Sequence, residues 1–496
     1  MPQAQALLKA VEISKSFAGV HALNRVSLEI MPGEIHCLAG ENGCGKSTLI
    51  KIISGVYQMD SGSIEFNGNT FTKMTPSEAI AQGIQVIYQD FAVFPNLTVM
   101  ENLAINTELA EKRKFVNWKR MRRIAEEAVK KIGFHVDLDA LVGSLSVAEK
   151  QMVAISRALM SNAKLIIMDE PTTALTKKEV KSLFEIILKL KAQGIAILFV
   201  SHKLNEVFEI SERFTIFRNG ELVVTGSTAE LNDKKFTYYM TGREFENRVF
   251  KPEKVSEEPV FELKNLGLKG YFEEINLSVR GGEILGITGL LDSGRTELAL
   301  AMFGMKKTDT GRILKNGQEI RISNPRDAIK AGIGYVPEDR LSEGLFLPQS
   351  IGDNIVVSEL DKLQGSLGTY DLAKANEEKQ HWVNELEIKT PDYRNAASTL
   401  SGGNQQRIVL SKWMAVHPDV LILNGPTVGV DIGSKHDIHA ILQKQAREGM
   451  AVIIISDDLP EILQNCSRII VIKEGRFVAE MSAEDATEDA ILEKMM

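Results

Sequence analysis

Gly40-Glu41-Asn42-Gly43-Cys44-Gly45-Lys46-Ser47-Thr48 has the form G-x-x-x-x-G-K-S. It follows a short apolar run ending at Ala39 and precedes Leu49-Ile50-Lys51-Ile52-Ile53, which fits the first turns of a helix. Strand, glycine-rich turn and helix in that order form a phosphate-binding loop. Glycines let the backbone curl around phosphate oxygens, successive N–H groups and the helix N-terminus face the negative charge, and Lys46 adds a point charge. Ser47 is placed to put its hydroxyl on Mg²⁺.

Working outward, Gly62-Ser63-Ile64-Glu65-Phe66-Asn67-Gly68 alternates and closes on Asn-Gly, the pattern of a hairpin. Gly83 to Tyr88 reads as a strand that ends at Gln89, and Thr98 to about Lys131 as mainly helical. Leu165-Ile166-Ile167-Met168 is a buried-strand run closed by Asp169-Glu170-Pro171-Thr172. A helix is expected from Lys177 to Gln193, then a strand from Ile195 to Val200 that ends at Ser201-His202. Strands alternating with helices imply an α/β fold with a largely parallel sheet.

The pattern then repeats. Gly289-Leu290-Leu291-Asp292-Ser293-Gly294-Arg295-Thr296 has the loop's shape, Leu421-Ile422-Leu423-Asn424-Gly425-Pro426-Thr427 echoes the Asp169 strand, and Arg468 to Gly475 echoes Arg213 to Gly220. The repeat is a whole domain, far longer than the 20–50 residues of a solenoid unit. A charged stretch bracketed by Pro252 and Pro259 marks the seam. The expected domains are 1–245 and 258–496, with a linker at 246–257.

The totals narrow the class. The 496 residues exceed one ordinary core, and a net charge of -8 argues against a chain devoted to nucleic acid. The 3 cysteines, Cys37, Cys44 and Cys466, show no spacing for a zinc site or a disulfide framework. The first residues lack a signal-peptide pattern and no apolar run approaches the ~20 residues that span a bilayer, so a soluble cytoplasmic chain is expected.

Chemistry gathers at the strand ends. Asp169 is suited to hold Mg²⁺ and Glu170 to polarise a water in line with a γ-phosphate. Gln89 ends a strand from which its amide reaches the metal or that water, and His202 ends another from which it hydrogen-bonds the γ-phosphate. Phe17, upstream of the loop, is either a stacking surface for adenine or core packing. Leu400-Ser401-Gly402-Gly403-Asn404-Gln405-Gln406 places a serine and two glycines before a helix, which is either a helix cap or a second phosphate-reading surface.

Phosphate loop, strand-end Gln, L-S-x-x-x-Q, D-E-P-T and S-H, in this order, resemble the ABC-type ATPases over essentially the whole chain. The resemblance implies two tandem ABC-type P-loop NTPase domains. Each would have a RecA-like largely parallel sheet core, an antiparallel β subdomain and a helical subdomain. It implies ATP and Mg²⁺ as ligands and head-to-tail pairing, so that Ser401, Gly402 and Gly403 of one domain cover the loop of the other. Gly294-Arg295-Thr296, Pro337-Glu338-Asp339-Arg340 and the Leu400–Gln406 motif further resemble the ATPase subunit of monosaccharide importers of the ribose, galactose, xylose, arabinose and autoinducer-2 type. Such a subunit lies peripherally on the cytoplasmic face of the inner membrane. It docks on integral-membrane permease subunits fed by a periplasmic or extracellular sugar-binding protein, and touches neither sugar nor nucleic acid. A soluble tandem ATPase acting on ribosomes is the alternative, resembled less because the linker is short and Gly425 removes one catalytic glutamate.

The halves differ in a pattern. The first has Lys46, Ser47, Gln89, Asp169, Glu170 and His202, but its signature reads Leu145-Ser146-Val147-Ala148-Glu149. The second keeps Ser401-Gly402-Gly403, but Arg295, Asn424, Gly425 and Asp457 stand where Lys, Asp, Glu and His are expected. Asp457 is expected to repel a γ-phosphate. The implied pairing gives one hydrolytic site and one degenerate site. Cys44, beside a helix N-terminus that should lower its thiol pKa, is either open to alkylation or an inert small residue filling an alanine-like slot. The basic run from Arg113 to Lys131, with Lys119, Arg120, Arg122 and Arg123, reads first as a solvated face and otherwise as a contact for anionic lipid.

Overall fold

A computed structural model describes residues 5–17, 20–88, 93–110, 116–160, 162–173, 175–245, 249–365 and 368–496. Gln89 and Arg113 lie outside the described residues. The chain forms two compact units, 1–244 and 245–496.

In the first unit a six-stranded sheet runs in the order Glu221–Ser227, Arg213–Arg218, Ile35–Gly40, Ala196–Val200, Leu165–Asp169, Ile84–Ile87. The last five strands are mutually parallel, and Glu221–Ser227 closes one edge as an antiparallel hairpin. Its strands are apolar without alternation because both faces are covered. Leu165 and Ile167, with Leu198 and Val200, pack towards Leu49, Ile50, Ile53 and Phe66. Ile166 and Met168, with Ile197 and Phe199, pack on the opposite side among Ile155, Leu159, Phe184 and Ile187. The helix Lys46–Ile53 thus lies on one face, and Val147–Met160 and Lys177–Ala192 on the other.

A second sheet, antiparallel and four-stranded, has the order Val20–Ile30, Leu8–Phe17, Ser61–Phe66, Asn69–Phe71. Its Asn67-Gly68 turn has positive φ at both residues, 49° and 83°, the twist a two-residue hairpin requires. Helices Val99–Ala110 and Trp118–Ile132 pack on Val147–Met160 around Leu103, Met121, Ala125 and Val153, a small core of their own. In the basic run, Arg122 pairs with Asp139 at 2.5 Å.

The second unit repeats this plan. Its six-stranded sheet runs Ile333–Val336, Val420–Asn424, Ala451–Ile455, Ile284–Thr288, Arg468–Lys473, Arg476–Ser482. Its four-stranded sheet runs Phe272–Arg280, Pro259–Leu268, Thr310–Lys315, Gln318–Ile320. Two described residues near the seam pack on the second unit. Phe245 stacks on His436 with ring centroids 3.9 Å apart, and Phe250 is buried in the second unit's core while its N–H donates to the Gln464 carbonyl at 2.9 Å.

A buried carboxylate braces the strand ends in each unit. In the first, Thr172 and Ser201 hydroxyls each donate to Glu206 at 2.6 Å. In the second, Thr427 and Ser456 donate to Glu461 at 2.6 and 2.5 Å, and His439 Nε2 lies 2.9 Å from the same carboxylate. Burial opposes ionisation of Glu461, but the His439 ring and the two hydroxyls outweigh it and hold the carboxyl down at about 2. A folded-state value below the ordinary 4.5 means the ionised group stabilises the fold above about pH 4.5 and loses that contribution as pH falls towards about 2. Replacing Glu461 by Gln is therefore expected to destabilise the second unit at neutral pH by on the order of 3 kcal/mol. It should also flatten the fall in melting temperature across that acid window. Calorimetry from pH 7 down to 3 checks this, and an unchanged slope in the variant contradicts it.

Candidate active site

The loop from Gly40 to Gly45 joins the buried strand Ile35–Gly40 to the helix Lys46–Ile53. Gly45 is fixed by close approach, since with φ at 106° a Cβ there would lie 2.6 Å from the Ala22 carbonyl oxygen and from Leu23. Gly43, with φ at 81°, would meet nothing within 4 Å, so the loop is open on that side. Lys46 is 5% exposed, and its ammonium donates to the Gly40 and Glu41 carbonyls at 2.6 and 3.0 Å. The charge is thus folded back along the rim of the loop on backbone acceptors that a phosphate oxygen can replace.

Sheet order brings the other strand ends to this rim. Ile35–Gly40 pairs with Ala196–Val200, which pairs with Leu165–Asp169 in a register that sets Asp169 beside Val200. The Ser47 side chain lies near Asp169. Burial, and then the neighbouring Glu170 carboxylate, push the Asp169 carboxyl up, against the downward pulls of Lys46 and Ser47. A hydroxyl and a carboxylate near each other beside a loop of N–H groups form an oxygen-only donor set, which suits a hard divalent cation.

Glu170 sits in the left-handed region at φ 46°, held by its N–H donating to the Val200 carbonyl at 3.1 Å. His202 Nδ1 lies 3.2 Å from Glu170 Oε1. That hydrogen bond outweighs desolvation and holds the Glu170 carboxyl below the ordinary range. An ionised carboxylate with one oxygen engaged by His202 has its other oxygen available to a water. The structure thus gathers Lys46, Ser47, Asp169, Glu170 and His202.

Phe17 ends the strand Leu8–Phe17, is largely exposed, and meets Tyr57 edge-to-face at 5.3 Å. Cys44 corrects the expectation of a reactive thiol. It is 4% exposed, and burial raises its pKa despite Lys46 nearby. The helix N-terminus is outweighed because the thiol points into the core rather than into the loop's open side.

In the second unit Ser401 precedes the helix Gly402–Met414, and Asn404 donates to its hydroxyl at 3.1 Å. Gly402 and Gly403 are required by their own unit as well. A Cβ on Gly403 would fall 2.1 Å from the Ser434 hydroxyl, and one on Gly402 2.8 Å from the Arg340 guanidinium. Asp457 is also not the bare charge expected from sequence, because its carboxylate lies 3.5 Å from Arg295 Nη2. Sequence reasoning missed the bracing pair Glu206 and Glu461. The signal was present, as each stands four residues beyond the strand-end His202 or Asp457, but it carries no motif chemistry.

A family model described as ABC transporter matches residues 23–173 and 272–428. The chain is 41% identical to a ribose import ATP-binding protein of Bacillus subtilis over 97% of each chain. It is 38% identical to a putative ribose/galactose/methyl galactoside import ATP-binding protein of Halalkalibacterium halodurans, over 98% of this chain and 93% of that one. The chain belongs to the ABC transporter family. Within it, this is an ATP-hydrolysing subunit with two cassettes on one polypeptide.

The cysteines give a direct check of the loop. Burial raises all 3 free thiols, Cys37 to about 12 and Cys44 and Cys466 above their ordinary value. Thiol titration of the native protein at pH 7 should find none that reacts fast, and all should react after denaturation. Rapid labelling of Cys44 in the native state contradicts the buried geometry.

Proposed function

We propose that this chain is the motor of a bacterial importer for ribose or a chemically similar monosaccharide. The full-length likeness to ribose import ATP-binding proteins, covering both cassettes, carries the substrate class. Among the described residues no helix is long and apolar enough to cross a membrane. Integral-membrane permease subunits therefore form the pathway, and a sugar-binding protein delivers the sugar. This chain works from the cytoplasmic face as a peripheral subunit, and its residues do not meet the sugar.

The loop N–H groups of residues 40–48 and Lys46 hold the β- and γ-phosphates of ATP. Ser47 and Asp169, with Gln89, are the residues that hold magnesium, which when bound neutralises charge on the transferring phosphoryl group. Glu170 accepts a hydrogen bond from the attacking water, and His202 fixes the Glu170 carboxylate and reaches the γ-phosphate. Phe17 stands at the adenine end. Ser401, Gly402 and Gly403 of the second cassette complete the site across the nucleotide. ATP binding draws the cassettes together, hydrolysis reopens them, and the permease follows.

The proposed domains are 1–245 and 258–496. Of the two composite sites, only the one built on the first loop hydrolyses ATP, because Gly425 has no side chain to polarise water and Asp457 replaces the strand-end histidine.

Two measurements test this. Lys46→Ala and Glu170→Gln should each lower ATPase activity of the purified transporter by roughly 10²-fold or more, while Arg295→Ala leaves most of it. Comparable losses from Lys46→Ala and Arg295→Ala contradict the asymmetry. Purification from native membranes in mild detergent should recover a polytopic membrane protein in near-stoichiometric amount. ATPase activity of that complex should rise with ribose and its binding protein. Recovery with ribosomes in the soluble fraction contradicts the importer.

A further inference from the structure

The helix Trp118–Ile132 carries charge that its own packing does not call for. Its inner face is settled by Met121, Ile124, Ala125 and Ala128, buried against Val99–Ala110 and Val147–Met160. On its outer face Trp118, Lys119, Arg122 and Arg123 are all exposed. Positions i, i+1, i+4 and i+5 of an α-helix lie on one side, so an indole and three cations share a surface. Val116, just before the helix, is 58% exposed and Trp118 is 56% exposed.

The cations stand at the end of the helix where they stabilise it least. A helix N-terminus is the positive end of the macrodipole, which favours acids and disfavours Lys and Arg. The first turn here holds no acid, and Asn117 caps it by accepting from the Arg120 N–H at 3.1 Å. Arg122 pairs with Asp139, while Lys119 and Arg123 make no ion pair among the described residues.

The second unit contains the same helix without the charge. Leu372–Glu385 packs in the matching place, against Ile351–Val356 and Gly402–Met414, with Asp371 as its cap and Ala375 buried where Met121 is. An exposed apolar residue, Leu372, also stands at its first position. Residues 117–123 hold four cations and no acid, whereas 371–377 hold Lys374 with Asp371 and Glu377. The scaffold therefore does not require the basic end. The chain as a whole carries a net charge of -8, so this end opposes the sign of the molecule around it.

An exposed indole among Lys and Arg is the composition of a membrane-interface contact, where the ring enters the headgroup layer and the cations face lipid phosphates. We propose that the exposed side of residues 116–123 contacts the anionic phospholipid of the membrane on which this subunit lies, a direct lipid contact beside its attachment to the permease. The proposal rests on the reading of the chain as a peripheral membrane subunit. Each Lys or Arg near an anionic surface is worth about fivefold in binding, so four cations and one indole give reversible attachment and not insertion.

Trp118 itself is the probe. The other two of the chain's 3 tryptophans, Trp382 and Trp413, are 7% and 8% exposed, so an emission change on vesicle binding reports Trp118. Full-length protein is mixed with vesicles of phosphatidylcholine alone, or of phosphatidylcholine with phosphatidylglycerol, the latter also with bromine on the acyl chains. Wild type should sediment with the anionic vesicles only, shift its emission to the blue and be quenched by the bromine. All three signals should vanish in about 1 M salt, where the Debye length is about 3 Å. Lys119→Gln with Arg123→Gln should weaken sedimentation by roughly 20-fold, and Trp118→Phe should abolish the emission change. No sedimentation, equal sedimentation with neutral vesicles, binding that survives the salt, or an unquenched wild type each overturns the proposal. A protein partner with an acidic face, in place of lipid, gives the first of these. The vesicles hold no permease and no sugar, so such a failure leaves the importer reading to be decided by the permease co-purification.

Discussion

A parallel sheet delivers all its strand carboxyl ends to one edge, and this constraint organises each cassette. Gly40 ends a central strand of the first unit, Val200 ends its neighbour and Asp169 the strand beyond, and the register sets Asp169 beside Val200. The approach of Ser47 to Asp169 and the Glu170–His202 pair at 3.2 Å follow from that placement. Ser47, the Asp169-Glu170 pair and His202 lie far from one another in sequence. Burial of both sheet faces fixes the register, since a slip of one residue would turn Ile166 and Met168 out of one core and into the other. The chemistry therefore depends on the apolar packing of both faces of the strands beneath it.

The duplicated unit shows which features belong to the scaffold and which to hydrolysis. Position 170 is a glutamate at φ 46°, and the matching Gly425 has φ 59°, so the same left-handed turn occurs in both. A non-glycine residue in that region costs about 1 kcal/mol. The first unit bears that strain and gains a carboxylate beside His202. The second has no carboxylate there and takes the residue that fits without strain. The buried braces Glu206 and Glu461 are kept in both. The scaffold survives in the second unit while the water-activating chemistry is gone.

Much of this was legible in the sequence because it depends on local spacing. The loop glycines, the strand runs and the Asn67-Gly68 turn each carry a short-range signature, and the second copy of the pattern fixed the domain count. Less was legible where three dimensions decide. Cys44 has a helix N-terminus next to it in sequence, but its thiol turns into the core, and burial wins. Asp457 read as an unopposed charge until the fold placed Arg295 beside it. The stretch around Phe250 reads as a linker from its charge and prolines, and its sequence gives no sign that Phe250 is buried in the second unit's core. Glu206 and Glu461 take hydrogen bonds from Thr172 and Thr427, each 34 residues away, a distance no local pattern spans.

The central claim is that one chain holds one hydrolytic centre, built on Lys46, Asp169 and Glu170. Trapping the post-hydrolysis state with vanadate and a photoreactive ATP, then counting and mapping the retained ADP by peptide mass, tests it most directly. The account predicts one trapped ADP per chain, attached within residues 1–244. Two trapped ADP per chain, or trapped ADP mapped to the second unit, would contradict it.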